Sequence, residues 1–491
     1  MMTRNGELLG AGRWLTGGGG TLDCVDPATG EVFAAVSAAD VADVHAAAER
    51  AAAAASEPSW ADLLPHERAR LLVRVADLIE RDAERLSALQ TRNTGKTLAE
   101  SRALVASAAG TFRFTAAACE TMQGALTPQR GQHIAMSRYE PIGVVGAITP
   151  WNSPIASDAQ KVAPALAAGN AVLVKPAEAT PLVSLALAEL ILEAGVPAGL
   201  MSVLPGPGAV VGDAIVRHRR VGKVSFTGGT GTGRLIGRIA AEKIMPVSME
   251  LGGKSPTIVC ADADLDHAVA GVLYGIFSST GQSCIAGSRI FVHSDVYDEF
   301  TARLVAGARR LVTGPGTDPA TQVGPLATFT HRDRVAAMVD RAREEGADVL
   351  CGGGLPENPE LARGAYYLPT LLAGLANESK TCQEEIFGPV GALLPYTDEN
   401  DLVAQANGTV YGLAAGIWTR DYRRAWSLAR RIEAGTVWVN TYKQFSIATP
   451  FSGLKESGIG TEKGRDGILS YMRQKSVYFG LDPEPLPWAA G

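Results

Sequence analysis

A chain of 491 residues that is 46% hydrophobic and 20% charged has an ordinary globular balance, with apolar material for two or three domains. A formal charge of −6 gives no general attraction to phosphate backbones or anionic lipid, so nucleic-acid and membrane-surface binding are poor explanations for it. Every apolar run is broken by charge or glycine before the ~18 residues of a membrane helix, and Met1–Gly20 lacks the apolar stretch of a secretory signal.

Six cysteines (Cys24, Cys119, Cys260, Cys284, Cys351 and Cys382), none in a C-x-x-C pair, resemble neither a disulfide framework nor a zinc cluster. A reducing cytoplasm is the expected home. His66-Glu67-Arg68-Ala69-Arg70 begins like a zinc-protease helix but lacks the second histidine, and no metal is expected.

From Ala38 to about Ala109 the pattern predicts helices: Ala42–Ala55 is alanine-rich, and Leu71, Leu72, Val75, Leu78 and Ile79 recur at helical spacing. Gln129–Tyr139 has β character. From Gly143 short β-rich runs alternate with helices. The runs are Val144–Ile148, Ala171–Val174, Met201–Leu204 and Lys223–Phe226, and the clearest helices Ser184–Glu193 and Arg234–Lys243. That alternation predicts a parallel sheet covered by helices. A second α/β stretch begins near Gly253, with strands Pro256–Cys260 and Arg289–Val292 and helices Leu265–Phe277 and Tyr297–Arg310, and continues to about Pro450. The tail segment Lys475–Leu481 is again β-like. It and Gln129–Tyr139 are candidate strands for subunit pairing.

Two features point to a nucleotide. After Val224–Phe226 comes Thr227-Gly228-Gly229-Thr230-Gly231-Thr232-Gly233-Arg234, a turn that lets a phosphate approach backbone N–H groups at a helix N-terminus. It matches neither G-x-G-x-x-G in register nor a Walker loop, and a plain strand-to-helix turn explains it equally well. Lys175-Pro176-Ala177-Glu178 sits at the carboxyl end of a strand, where open α/β sheets bind ligands. Glu178 there would accept ribose hydroxyls and repel a 2′-phosphate, or would simply complement a helix dipole.

Met249-Glu250-Leu251-Gly252-Gly253-Lys254 followed by Gly281-Gln282-Ser283-Cys284 resembles the paired glutamate and cysteine motifs of the aldehyde dehydrogenase superfamily. Pro150-Trp151-Asn152, Lys175-Pro176-Ala177-Glu178, Phe226-Thr227-Gly228, Glu385-Ile386-Phe387-Gly388-Pro389 and Phe451-Ser452-Gly453-Leu454-Lys455-Glu456-Ser457-Gly458 resemble further segments, in the family's order, from roughly Asp26 to Lys475. The resemblance implies two parallel-sheet α/β domains plus a small β oligomerisation element: residues 1–122 and 142–252 for NAD, 253–452 for catalysis, and 123–141 with 453–491 for pairing and the tail. It also implies a homodimer or homotetramer, and nucleotide domains in this family lack the usual G-x-G-x-x-G.

Hydride can leave an aldehyde only after a nucleophile has converted the carbonyl carbon to a tetrahedral centre, and cysteine suits that task. Cys284, in a glycine-serine stretch between a helix and a strand, is the candidate nucleophile, whereas Cys260 reads as a core residue. The resemblance assigns the oxyanion to the Asn152 amide and the Cys284 N–H, and hydrolysis of the resulting thioester to water activated by Glu250. It places Thr149, Trp151, Lys175, Glu178, Gly208, Gly228, Gly229, Glu385 and Phe387 around NAD, with NADP a weaker alternative.

The chain departs from many relatives where Ser153 replaces an aromatic residue, and Ser157, Asp158 and Gln160 continue that segment in polar style. A wider, more polar substrate entrance, using Ser153, Ser157, Gln160, Tyr442, Phe445 and Phe451, is the expectation. Gly229 replaces a frequent serine, and His331 a frequent glutamine. Two rivals are a member that passes its thioester to coenzyme A, against which Glu250 argues, and a non-catalytic protein of the same fold, against which the joint retention of Cys284, Glu250, Asn152 and Glu385 argues. A serine hydrolase is excluded earlier by the absence of a G-x-S-x-G elbow.

Overall fold

The computed structural model describes residues 6–484 and Trp488. Met1–Asn5, read above for a signal, and residues 485–487 and 489–491 of the tail lie outside the described residues. The helical region resolves into Val41–Ser56, Pro58–Ala61, Pro65–Arg81, Ala83–Thr94 and Leu98–Ala118. The alanine-rich helix is capped by Asp40, whose carboxylate accepts from the Asp43 N–H, and buries Val44, Ala47, Ala48, Ala51 and Ala54. Its small side chains therefore form one packed face rather than a wholly solvated helix.

The first large sheet has the order Arg13–Leu15, Leu8–Gly10, Met201–Val203, Ala171–Lys175, Val144–Ile148, Val221–Thr227, Val247–Glu250, Gly458–Ile459. Its five central strands are parallel and its edges antiparallel. Val144–Ile148 and Ala171–Lys175 are buried along their whole length, as strands covered on both faces must be, which explains their unbroken apolar sequence. Reading the parallel strands in chain order gives 3-2-1-4-5, so connections depart in opposite directions on either side of the boundary between Val144–Ile148 and Val221–Thr227. A crevice for a ligand opens at such a switch point, beyond the strands' carboxyl ends.

The second sheet runs Asp348–Cys351, Thr370–Ala373, Val390–Tyr396, Arg289–His293, Pro256–Val259, Ala414–Trp418, Thr436–Val439 and is parallel except for its first strand. Apolar clusters cover its two faces. Only Leu251–Ser255 separates the last parallel strand of the first sheet from Pro256–Val259 of the second. His133–Pro141 and Met472–Gly480 pair antiparallel over their full lengths in a separate two-stranded ribbon.

Two boundaries differ from expectation. The helix placed at Arg234–Lys243 begins at Thr230, so most of the glycine-rich stretch is helix rather than turn. The region after 453 is not wholly a pairing element: Gly458–Ile459 joins the edge of the first sheet, and Ile468 and Tyr471 enter that sheet's core. Glycine in a helix costs stability, and β-type residues this short give no periodicity, which is why neither was visible in sequence. Among the described residues, no helix is long and apolar enough to cross a membrane.

Candidate active site

The crevice at the switch point is a cavity of about 860 Å³, walled by Pro150–Asn152, Thr227–Thr232, Leu251, Gly252, Cys284, His331, Glu385 and Phe387, among others. Residues from both sheets thus meet around one space. The helix Thr230–Glu242 opens onto it from Gly229, with no side chain capping its first amides. Those N–H groups are a ready anion site.

Cys284 follows a helical turn in which Ser279, Thr280 and Gly281 all have positive φ, at 58°, 56° and 69°. Close packing holds this loop. A Cβ on Gly281 would lie 2.0 Å from the Gly388 carbonyl oxygen, and one on Gly253 would lie 2.2 Å from that of Cys284. The glycines of three separate motifs are therefore contact points between the loops that carry Glu250, Cys284 and Glu385. Asn152 joins the same assembly: its Nδ2 donates to the Gln282 carbonyl at 2.9 Å, leaving the second N–H free.

Burial dominates the electrostatics. It pushes the Cys284 thiol up to about 12, with the neighbouring carboxylates of Glu385 and Glu250 adding to the effect. Glu250, at the end of its strand, is 4% exposed, and its Oε2 has no hydrogen-bond partner. Burial, and then the Glu462 carboxylate, raise its pKa well above the usual carboxylate range. Glu385 accepts the Gly253 N–H at 3.0 Å, yet burial still raises it to about 7. Behind Glu250, Glu462 is held by the buried Lys161 ammonium and by Ser225 Oγ at 3.0 Å. Lys161 and Glu462 were not found in sequence, because a residue on Pro154–Ala167 and one beyond 460 share no local pattern.

On the cofactor side, Trp151, His331 and Phe387 form a three-ring wall with centroids 5.1 to 6.0 Å apart. His331 Nε2 lies 2.7 Å from the Phe387 carbonyl oxygen and so donates to it. This holds Phe387 at φ 58° and gives the histidine a positioning role. Lys175, Glu178 and Gly208 gather apart from the cavity wall: Lys175 Nζ lies 3.8 Å from Glu178 Oε1, which accepts the Gly208 N–H at 2.7 Å. Thr149 lies beneath the wall, 3% exposed.

The expected substrate residues divide. Phe445 and Phe451 meet edge to face at 5.6 Å, and Phe451 belongs to the apolar cluster on which Cys284 packs. Gln160 lines a small cleft with Thr111, Phe114, Thr115 and Lys463, while Ser153 and Ser157 are half-buried nearby in sequence but on neither wall. Tyr442 lies deeper, in the same apolar cluster as Phe451. Its ring is 2% exposed, stacks near Trp438 at 5.0 Å and fills the space over Gly275, Gly287 and Gly416, so it is core rather than entrance. Away from the site, His45, Glu49 and His218 converge on the surface, but Arg219 and Arg220 hold the Glu49 carboxylate.

The sequence profile of the aldehyde dehydrogenase family matches residues 14–477. This chain belongs to the aldehyde dehydrogenase family. It is 42% identical over 471 residues to the betaine aldehyde dehydrogenase of Brucella melitensis, covering 96% of each chain. It is 40% identical over 480 residues to the phenylacetaldehyde dehydrogenase of Pseudomonas fluorescens, covering 96% of this chain and 95% of the relative. PnpE from Pseudomonas sp. WBC-3, solved in complex with nicotinamide adenine dinucleotide, superposes with a TM-score of 0.96 at 39% identity, covering 99% of both chains. Membership in the family accounts for the two-sheet architecture and for the convergence of Cys284, Glu385 and Asn152 on one cavity.

Proposed function

We propose that this chain is an NAD-dependent aldehyde dehydrogenase that forms a thioester on Cys284 and hydrolyses it with water activated by Glu250. The observation that carries the reading is the arrangement of Cys284, Asn152, Glu385 and an uncapped helix N-terminus around one cavity, with Glu250 buried within electrostatic reach of the thiol. The residues fit NAD: the helix amides beside Gly229 and Gly231, where an added Cβ would meet nothing, suit a pyrophosphate, and Glu385 offers a carboxylate to ribose hydroxyls. Glu178, already drawn to Lys175 and Gly208, favours NAD over NADP because a second anion would meet it unfavourably.

A thiol held near 12 is protonated at neutral pH, so attack requires a base, and the raised carboxyl of Glu250 is suited to take the proton. The oxyanion formed at the carbonyl would lie against the free Asn152 N–H and the Cys284 backbone N–H. Bound NAD supplies the hydride acceptor. Trp151, Phe387 and His331 shape the wall against which the reacting carbon must align. Having passed the thiol proton to solvent, Glu250 would then deprotonate the water that cleaves the thioester, the departing Cys284 sulfur taking that proton back, while the Glu462–Lys161 pair acts on Glu250 through its field alone.

The relatives named above differ in the aldehyde each is named for, so substrate choice must come from this chain's own pocket, and Gln160 in the cleft beside Lys463 favours a bulky polar aldehyde. The first sheet would be the NAD-binding unit and the second the catalytic unit. The ribbon of His133–Pro141 and Met472–Gly480, with exposed Tyr478 and Phe479, would pair subunits into a homodimer or homotetramer in the cytoplasm. NADH formation across an aldehyde panel tests the reading. Wild type should reduce NAD, Cys284→Ala should lose about 10⁴-fold or more of the activity, and Glu250→Gln, lacking the base for both half-reactions, should lose activity without accumulating an acyl-enzyme visible by mass. Equal activity in Cys284→Ala would overturn the mechanism, and release of the acyl group only to added coenzyme A would reassign the second half.

A further inference from the structure

Four charged groups act on Cys284, two of them acids and two of them lysines. The carboxylates Glu250 and Glu385 lie towards the cofactor cavity and the space behind it. Lys443 and Lys463 lie among residues that are absent from that cavity's wall. Lys443 Nζ donates to Ser278 Oγ at 2.8 Å and reaches the Ser278 carbonyl at 3.4 Å. Lys463 Nζ sits 3.8 Å from the centroid of the Phe445 ring and 5.2 Å from that of Phe451, beside the cleft containing Gln160. Both ammonium groups are within electrostatic reach of the Cys284 sulfur.

Neither lysine makes an ion pair among the described residues. Glu250 acts on Lys463 through its field without an ion-pair contact, and two other nearby acids are held elsewhere. Glu462 is held by Lys161 and Ser225, and Glu100 accepts the backbone N–H groups of Ser279 and Thr97 at 2.5 and 3.2 Å. Lys96 adds a further positive charge felt by Lys443. Both lysines are half-buried and neither is in ion-pair contact, so an anion brought to them away from bulk water would gain a charge-assisted contact. Burial lowers both, Lys443 to about 7.

We propose that Lys443 and Lys463 form an anion-binding end of the aldehyde pocket, and that the substrate carries a carboxylate or phosphate remote from its reacting carbonyl. This rests on the dehydrogenase reading above and specifies its substrate class. The carbonyl carbon lies at Cys284 with hydride leaving towards the Trp151–Phe387 wall, and the tail of the molecule then points to the side that Phe445, Phe451 and the two lysines occupy. The rings confine the tail while the ammonium groups neutralise its end. Polar Gln160, which shares a cleft with Lys463, fits that tail better than a purely apolar lining would.

The test compares kcat/KM for ω-oxo carboxylic acids of increasing chain length with that for their methyl esters, and for an aldehyde phosphate with its dephosphorylated form. Loss of a charge-assisted contact corresponds to about 10- to 100-fold. Wild type should prefer the anionic member by that factor. Lys443→Met/Lys463→Met should abolish the preference, the ratio of anionic to neutral kcat/KM falling to about one through the KM of the anionic member, whatever change both substrates share. Lys463→Arg should retain it. Whichever anion is preferred identifies carboxylate or phosphate. A wild type indifferent to charge, or a double variant that loses neutral and anionic substrates equally, overturns the proposal and makes the lysines structural. Should the double variant not fold, competitive inhibition of neutral-aldehyde oxidation in wild type by dicarboxylates or phosphate monoesters, relieved by salt, decides the matter, and its absence overturns the proposal. Failure of every aldehyde, charged or neutral, would strike the dehydrogenase reading itself.

Discussion

The two sides of Cys284 are built by different means. The cofactor side is made largely of backbone: strand ends, an uncapped helix N-terminus and glycines that let three loops touch. The proposed substrate side would be made of side chains instead, with Lys443, Phe445, Phe451 and Lys463 delivered by a segment that has little regular structure and Gln160 by a helix far away in the chain. A backbone-made site constrains which residues can occupy a few consecutive positions and so leaves a motif. A site made by side chains can be changed one residue at a time without disturbing the fold, which allows a conserved reaction to be coupled to different aldehydes.

Asn152 lies where the two sides meet and provides the strongest test of that division. Asn152→Ala removes both the proposed oxyanion donor and the bond to the Gln282 carbonyl. The expected outcome is a loss of about 100- to 1,000-fold in kcat, with NAD affinity, followed by quenching of tryptophan fluorescence, nearly unchanged. If NAD binding fell as steeply as turnover, Asn152 would belong to the scaffold of the cofactor wall and the two sides would not be separable.

Glu385 tests the cofactor side through stability. Its folded-state pKa is raised from 4.5 to about 7, so the folded state holds a proton that the unfolded state releases. The protonated carboxyl's contribution is therefore fully present below pH 4.5 and is lost as pH rises through about 7. Glu385→Gln keeps an acceptor for the Gly253 N–H but cannot ionise. Relative to wild type it should gain stability on the order of 2–3 kcal/mol between acid and alkaline conditions, measured by urea unfolding at several pH values, while NAD binding weakens. A difference that does not change with pH would show that this carboxyl is not held protonated by burial.

The same division governs what could be read from sequence. Most central strands of the first sheet, two strands of the second and the β character of both ribbon segments were legible, because β-rich runs alternating with helical spacing report burial on two faces, whereas the order of the strands and the pairing of the two ribbon segments with each other left no local pattern. Cys284, Glu250, Glu385 and Asn152 were found through motifs whose glycines the structure explains as close contacts. Glu462, Lys161, Lys443 and Lys463 were not, since their significance lies in which distant groups they face. Tyr442 shows the limit from the other direction: an aromatic residue near the site in sequence is as suited to filling space above three glycines as to lining an entrance. Thr230 to Gly233 were read as turn because glycine argues against helix, yet Gly233 packs where a Cβ would come within 2.6 Å of Leu251.

The smallest expected effect comes from Gly229→Ser. Gly229 is the residue before the helix Thr230–Glu242, with φ −70° and ψ 144°, and an added Cβ meets nothing within 4 Å. A serine there suffers no strain and can cap the amide of Thr232, for a gain of about a few tenths of a kcal/mol over glycine. With NAD bound, the hydroxyl can instead donate to a phosphate oxygen. One net hydrogen bond is worth about 1 kcal/mol, so the dissociation constant for NAD should fall by about two- to fivefold, the gain being reduced by the cap that must be released. Calorimetric titration resolves a change of that size. Binding weakened tenfold or more would mean that the serine obstructs the helix N-terminus without contacting phosphate, and the pyrophosphate would then have to be placed elsewhere along the strand ends. Because the substitution touches only backbone-made surface, it should leave the relative rates with charged and neutral aldehydes unchanged, and a shift in that ratio would show that the two sides of Cys284 communicate.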